Sequence, residues 1–157
     1  MVAMGLLDDD VLRAPLLPLA DAPRDRPRDV AVLSGDDAAT LAVLAMGGDG
    51  VISVASNEVP GELAAMVGAW HAGDLARTRR IHDRLLPLFR ANFQGAPNPV
   101  PAKAAMVAMG LLDADVLRAP LLPLADAPRE RLTTLLRSLG LVDGGGRQEP
   151  LRAGAAA

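Results

Sequence analysis

The chain is 157 residues long, a length that fits one domain with a real core. Half of it is apolar and only 2% is aromatic, so Ala, Leu and Val must build that core, and the 22% of charged residues excludes wholesale disorder. With 16 Lys and Arg against 19 Asp and Glu the net charge is -3, which leaves no basic field for nucleic acid or an anionic membrane. No apolar run is long enough to span a bilayer, and no basic segment followed by an apolar stretch opens the chain, so a cytoplasmic protein is expected. The absence of Cys removes disulfides, thiolate metal sites and Cys nucleophiles, and the absence of Tyr removes phenolic proton transfer.

The chain opens on a repeat. Met1 to Arg26 recurs at Met106 to Arg131, and only Asp9 against Ala114 and Asp25 against Glu130 differ. Solenoid repeats recur at periods of about 20 to 50 residues and need several copies, so two distant copies fit a duplication or a joined sequence, with the join expected near Arg26-Pro27-Arg28-Asp29. Val30 to Leu33 then reads as a buried strand. Asp37 is the expected N-cap of a helix over Ala38 to Met46, stopped by Gly47-Gly48, and Gly50 to Ala55 reads as a second strand. Strand, helix and strand in so short a span predict a parallel β-α-β unit.

From Pro60 onward the pattern is helical. One helix is expected over Pro60 to Ala72, closed by Gly73; Asp74 caps the next, which places Leu75, Ile81, Leu85, Leu88 and Phe89 on one face. Three prolines interrupt Gly95 to Pro101. A third helix runs from Pro101 to Met109 with Gly110 as its stop, and a fourth opens at Asp126 and ends at Gly140, with Leu132, Leu135, Leu136 and Leu139 as its buried stripe. The expected division is a duplicated copy over 1–27, a strand-helix part over 28–73, a helical domain over 74–142 and a tail over 143–157, Gly-, Ala- and Arg-rich without periodicity and expected to be disordered.

Read for chemistry, most candidates reduce to structure. Asp36-Asp37 could be a carboxylate pair for acid-base work, but adjacent acids at a helix start are capping residues that the macrodipole favours. His71 and His82 lie on different helices with no third ligand at matching spacing, so no metal site is expected and the two read as solvated or interfacial. Gly47-Gly48-Asp49-Gly50 precedes a strand, whereas a phosphate cradle precedes a helix.

Three motifs carry a resemblance: LSGDD at Leu33 to Asp37, GGDGVISVASN at Gly47 to Asn57, and NPVPAK at Asn98 to Lys103. In this order and spacing the chain from Val30 to about Val142 resembles the C-terminal part of the 4-hydroxy-tetrahydrodipicolinate synthase (dihydrodipicolinate synthase) family of pyruvate-dependent class I aldolases. The resemblance implies an α/β fold: the last two strands of a (β/α)8 barrel followed by a C-terminal helical domain, predominantly helical overall. Such barrels take about 250 residues, so this chain would hold two strands of eight. The implied activity is a lyase that joins pyruvate to aspartate semialdehyde in lysine biosynthesis, without a cofactor, through a Schiff base on a strand-six lysine.

The resemblance also says what is missing. Lys103 is the only lysine, and it matches the NPxPxK lysine outside the strands, so it does not inherit the Schiff-base role. The family's tyrosines, its relay threonine and its Thr-Thr carboxylate clamp have no counterparts, so no catalytic residue is assigned. Two substrate-binding positions remain: Ile52, whose backbone would stand beside pyruvate, and Gly35, which would let the backbone approach the ligand. The structural alternatives are that Ile52 fills a barrel interior and Gly35 makes a turn. Lys103 is expected in the first turn of a helix, its amine solvated or bonded to a carbonyl. The implied partner is a pyruvate-type small molecule, and only when a complete barrel is assembled; no nucleic acid or membrane partner is expected, and a homo-oligomer is possible. The competing expectation is a catalytically inactive remnant that acts as an association module. The duplicated apolar run Leu16 to Leu19 is expected to pack over the open face of the two strands of the same chain.

Overall fold

A computed structural model describes residues 30–142. The expectations for the N-terminal copy, including the docking of Leu16 to Leu19, and for the tail after residue 142 lie outside the described residues. The chain divides into two units, Met1–Ser53 and Val54–Ala157.

In the first unit, β1 (Leu33–Ser34) and β2 (Gly50–Val51) form a two-stranded parallel sheet, with Leu33 opposite Gly50 and Ser34 opposite Val51. Helix α1 (Thr40–Ala45) connects them. Both strands are shorter than the apolar runs that predict them. Ahead of β1, the Val32 N–H donates to the Asp49 side chain at 2.7 Å while the Val32 carbonyl accepts the Asp49 N–H at 2.8 Å, so a carboxylate replaces ladder pairing there. Beyond β2, Val54 turns to helical dihedrals and a 3-10 turn (Ala55–Asn57) begins, so the strand expected to reach Ala55 ends four residues earlier.

The helix start is also corrected. Asp36 holds the turn that precedes α1: its Oδ1 accepts the Ala38 N–H at 2.7 Å and the Ala39 N–H at 3.4 Å, and the helix itself is flanked by Ala39 without a side-chain cap. Its backbone carbonyl accepts the hydroxyls of Ser34 and Thr40 at 2.7 and 3.0 Å. Asp37 is buried, and regular helix begins only at Thr40.

In the second unit, α2 (Pro60–His71) and α3 (Leu75–Ala91) form a helical hairpin, followed by α4 (Val100–Ala108) and α5 (Asp126–Ser138). Pro60 opens α2, where its missing N–H costs nothing, and Gly73 closes it. Asp74 caps α3 as its sequence position predicts, accepting the Arg77 N–H at 2.9 Å. Arg84 of α3 pairs with Glu62 of α2 across the hairpin.

The buried stripe of α3 differs from the expected one. Thr78, His82, Leu85, Leu88 and Phe89 are buried, whereas Leu75 is 56% exposed and Ile81 half-buried. Thr78, His82, Leu85 and Phe89 follow the i, i+4, i+7, i+11 row; Ile81 lies on one flank of it, and Leu75, on the other flank, is the first residue of the helix. Polar members fit because they are bonded: the Thr78 hydroxyl donates to the Asp74 carbonyl at 2.9 Å. The His82 ring stands edge-on to Phe89 with centroids 6.0 Å apart, in a buried position that excludes the solvated alternative.

Helix α4 packs on α5, and its small residues Ala102, Ala104 and Ala105 are all buried. Leu132 and Leu136 are the buried centre of α5, with Leu135 and Leu139 half-buried beside them. Gly140 ends α5 with φ 71°, a left-handed turn that lets its N–H reach the Arg137 carbonyl at 3.0 Å and the Leu141 N–H reach that of Leu136 at 2.9 Å. The peptide bonds preceding Pro99 and Pro120 are cis.

Candidate functional site

Each of the two predicted binding positions directly follows the last residue of its strand. Gly35 comes after Ser34 of β1 and Ile52 after Val51 of β2, so both stand at the C-terminal ends of a parallel pair, where barrel enzymes build their pockets. The structure brings them together through one bond: the Ile52 N–H donates to the Ser34 carbonyl at 2.8 Å. The Ile52 side chain is 71% exposed. A Cβ at Gly35 would meet nothing within 4 Å, and its φ lies outside the left-handed region. Among the described residues, then, no neighbour fills the space beside Gly35, no turn strain demands glycine there, and Ile52 does not act as a core residue.

The charge around this pair is one-sided. Residues 30–53 include Asp36, Asp37 and Asp49 and contain no Lys, Arg or His. Asp36 binds the turn ahead of α1, Asp49 binds the Val32 N–H, and Asp37 is buried, so the adjacent acids of the LSGDD motif are not presented as an acid-base pair. The glycine run serves packing: a Cβ at Gly48 would lie 2.8 Å from the Val43 carbonyl oxygen, inside the last turn of α1.

The other candidates fall in the helical unit. Lys103, within the first turns of α4, donates from Nζ to the Val116 carbonyl at 2.6 Å. His71 is exposed at the end of α2 and His82 is buried in α3; among the described residues no three His, Asp or Glu side chains gather as a metal site. Asp115 pairs with Arg129, whose guanidinium hydrogen bond holds the Asp115 carboxyl below its ordinary value. A cleft of about 690 Å³ runs past Val59, Ala65, Arg77, Arg80, Ile81 and Leu141. No described helix is long and apolar enough to cross a membrane.

One polar pair has no precedent in the sequence reading. Asn92, which caps the C-terminus of α3, donates from Nδ2 to Oε2 of Glu58 at 3.0 Å, and both side chains are buried. The available signal was periodicity: Asn92 continues the buried row of α3 one turn beyond Leu88 and Phe89, at a place where an amide needs a partner.

The model of the dihydrodipicolinate synthetase family matches residues 20–139. The 4-hydroxy-tetrahydrodipicolinate synthase of Chloroherpeton thalassium is 46% identical over 118 residues, which is 75% of this chain and 38% of that protein. The crystal structure of dihydrodipicolinate synthase from Aquifex aeolicus superposes with a TM-score of 0.74 at 32% identity, covering 83% of this chain and 44% of that one. That of the chloride-inhibited enzyme from Acinetobacter baumannii complexed with pyruvate gives a TM-score of 0.67 at 34% identity, covering 72% and 38%. These neighbours are (β/α) barrel enzymes, and the chain spans about two fifths of their length. The chain therefore belongs to the dihydrodipicolinate synthetase family.

Proposed function

We propose that this chain forms the last two strands and the C-terminal helices of a pyruvate-dependent lyase of the 4-hydroxy-tetrahydrodipicolinate synthase type. The observation that carries this reading is the presence of all three motifs inside the span matched by the family model. Ile52, through its backbone, and Gly35, through its missing side chain, would line one side of a pyruvate pocket at the strand ends. The reaction, in lysine biosynthesis and in the cytoplasm, begins when a lysine amine condenses with the pyruvate ketone and one water leaves; the imine then yields the carbon nucleophile that attacks aspartate semialdehyde. That lysine is not on this chain. Lys103 gives its ammonium hydrogen to the Val116 carbonyl.

A second reading, a chain that associates with other copies or with a barrel and has no catalysis of its own, is favoured by the same lysine and by the lack of any cation in residues 30–53. Coupled turnover of pyruvate and aspartate semialdehyde by the purified chain separates the two. Turnover by the 157 residues alone would overturn both the assignment of Lys103 and the absence of a catalytic group, whereas turnover only with the missing strands supplied supports the lyase reading.

A further inference from the structure

We propose that the groove between α3 and α5 is a binding site for a small, flat organic acid with two carboxylates set across an apolar ring. The site goes beyond the lyase reading and uses neither Gly35 nor Ile52. A cleft of about 330 Å³ runs between the two helices, and all of its lining residues belong to the second unit. Each helix presents a stripe with the same spacing. From α3 come Pro87, Arg90 and Ala91, continued just past the helix end by Gln94. From α5 come Pro128, Arg131, Leu132 and Leu135. Both stripes follow the i, i+3, i+4, i+7 spacing of one helical face, so each sets a proline at one end and an arginine about one turn on. Gly95 lets the two sides approach, since a Cβ there would stand 2.8 Å from the Pro128 Cβ.

The charge of the cleft has one sign. Among the described residues Arg90 and Arg131 enter no ion pair, and no Asp or Glu lines the cleft. The arginines that do pair, Arg84 with Glu62 and Arg129 with Asp115, lie outside it. The floor is apolar, with Pro101, Leu124 and Leu132 all buried. Two guanidinium groups over such a floor select an anion with a flat body, because a guanidinium grips a carboxylate through two parallel bonds and stacks its plane on a ring. One arginine on each helix calls for a carboxylate at each end of the ligand. The Gln94 amide adds a donor one turn from Arg90. A cleft of about 330 Å³ admits an aromatic dicarboxylate of about a dozen heavy atoms.

Benzene-1,3-dicarboxylate is the probe, titrated calorimetrically into the full 157-residue chain. Saturable binding with a dissociation constant of about 1 mM or less is expected, weakening as sodium chloride is added. Arg90→Ala and Arg131→Ala should each weaken it about tenfold or more. Arg79→Ala, which removes an exposed arginine of α3 outside the cleft, should leave it unchanged. Gln94→Glu keeps both arginines and sets a carboxylate in the site, so it too should weaken binding. Arg90, Gln94 and Arg131 are exposed, and circular dichroism melts of these variants should match wild type. Where an alanine variant melts lower, Gln94→Glu decides, and its unchanged affinity overturns the proposal. Benzoate carries one charge and phenyl phosphate carries its charge at one end; each should bind about tenfold more weakly than the dicarboxylate. Absence of saturation by the dicarboxylate overturns the proposal, as does unchanged affinity in a normally folded Arg131→Ala or an equal loss in Arg79→Ala. Equally tight binding of benzoate or phenyl phosphate also overturns it, because a single anionic end then suffices.

Discussion

Asn92 and Glu58, 34 residues apart, share a buried hydrogen bond of 3.0 Å that ties the end of α3 to the segment entering α2. The bond locks the α2–α3 hairpin at the end opposite its tight connection. Replacing Asn92 with Leu removes the donor and leaves a buried carboxylate oxygen short of a partner, at a cost of about 1–3 kcal/mol. Urea unfolding followed by circular dichroism should show a lower midpoint of the helical transition; an unchanged midpoint would mean the pair contributes nothing net.

The α3 stripe gives a paired comparison. Leu85→Ala, at a position with no exposed surface, should cost about 2–5 kcal/mol through lost burial and a residual cavity. Leu75→Ala, at an exposed position in the first turn, should change stability by less than about 0.5 kcal/mol. Equal effects in thermal melts would place the buried row of this helix where the sequence pattern alone puts it.

That pattern shows what was legible and what was not. The glycine stops at Gly47, Gly73, Gly110 and Gly140 all hold left-handed turns, because a chain that must leave a helix by positive φ selects the one residue without a Cβ penalty. The strand ends were not legible, since an apolar run reports burial and says nothing of which residues share ladder bonds; here Asp49 intervenes at one end and a 3-10 turn at the other. Asp36 and Asp37 are equivalent as capping residues on paper, and the sequence does not show that Asp36 bonds into the turn with Ser34 ahead of the helix. Leu75 is in phase with Thr78 and His82 but is the first residue of the helix, so a periodicity that places it in the stripe says nothing of its exposure at the helix end. Gly35 and Ile52 were visible only through their motifs. Nothing local to Glu58 announces Asn92.

Gly95 separates conformational need from space. It has φ 82°, and a Cβ there would stand 2.8 Å from the Pro128 Cβ, so Gly95→Ala should lose about 1–2 kcal/mol from the backbone alone, with the clash adding to it. Gly61→Ala, in the first turn of α2 with nothing within 4 Å, should instead gain up to about 1 kcal/mol. Opposite shifts of the melting temperature are the expected outcome, and a shared direction would contradict the geometry.

Asp115 and Arg129 set a pH dependence. The Arg129 hydrogen bond lowers the Asp115 pKa in the folded chain, so its contribution is fully present above the unfolded carboxylate value and is lost as pH falls through the lower, folded one. Stability of wild type relative to Asp115→Asn should therefore shrink on acidification below the ordinary Asp range and be level at neutral pH. Because the pair is partly exposed, the difference should also fall with added salt. A difference that grew on acidification would reverse the assignment.

On the proposed reading, this member of the dihydrodipicolinate synthetase family would contribute strand ends to a pyruvate pocket without contributing the amine that reacts there. Intact-mass analysis of the purified chain after incubation with pyruvate and borohydride measures this directly, since any imine on its single lysine is trapped as a stable adduct. The unmodified mass is the expected result, with Lys103 held on the Val116 carbonyl. A pyruvate adduct mapped to Lys103 would contradict the account.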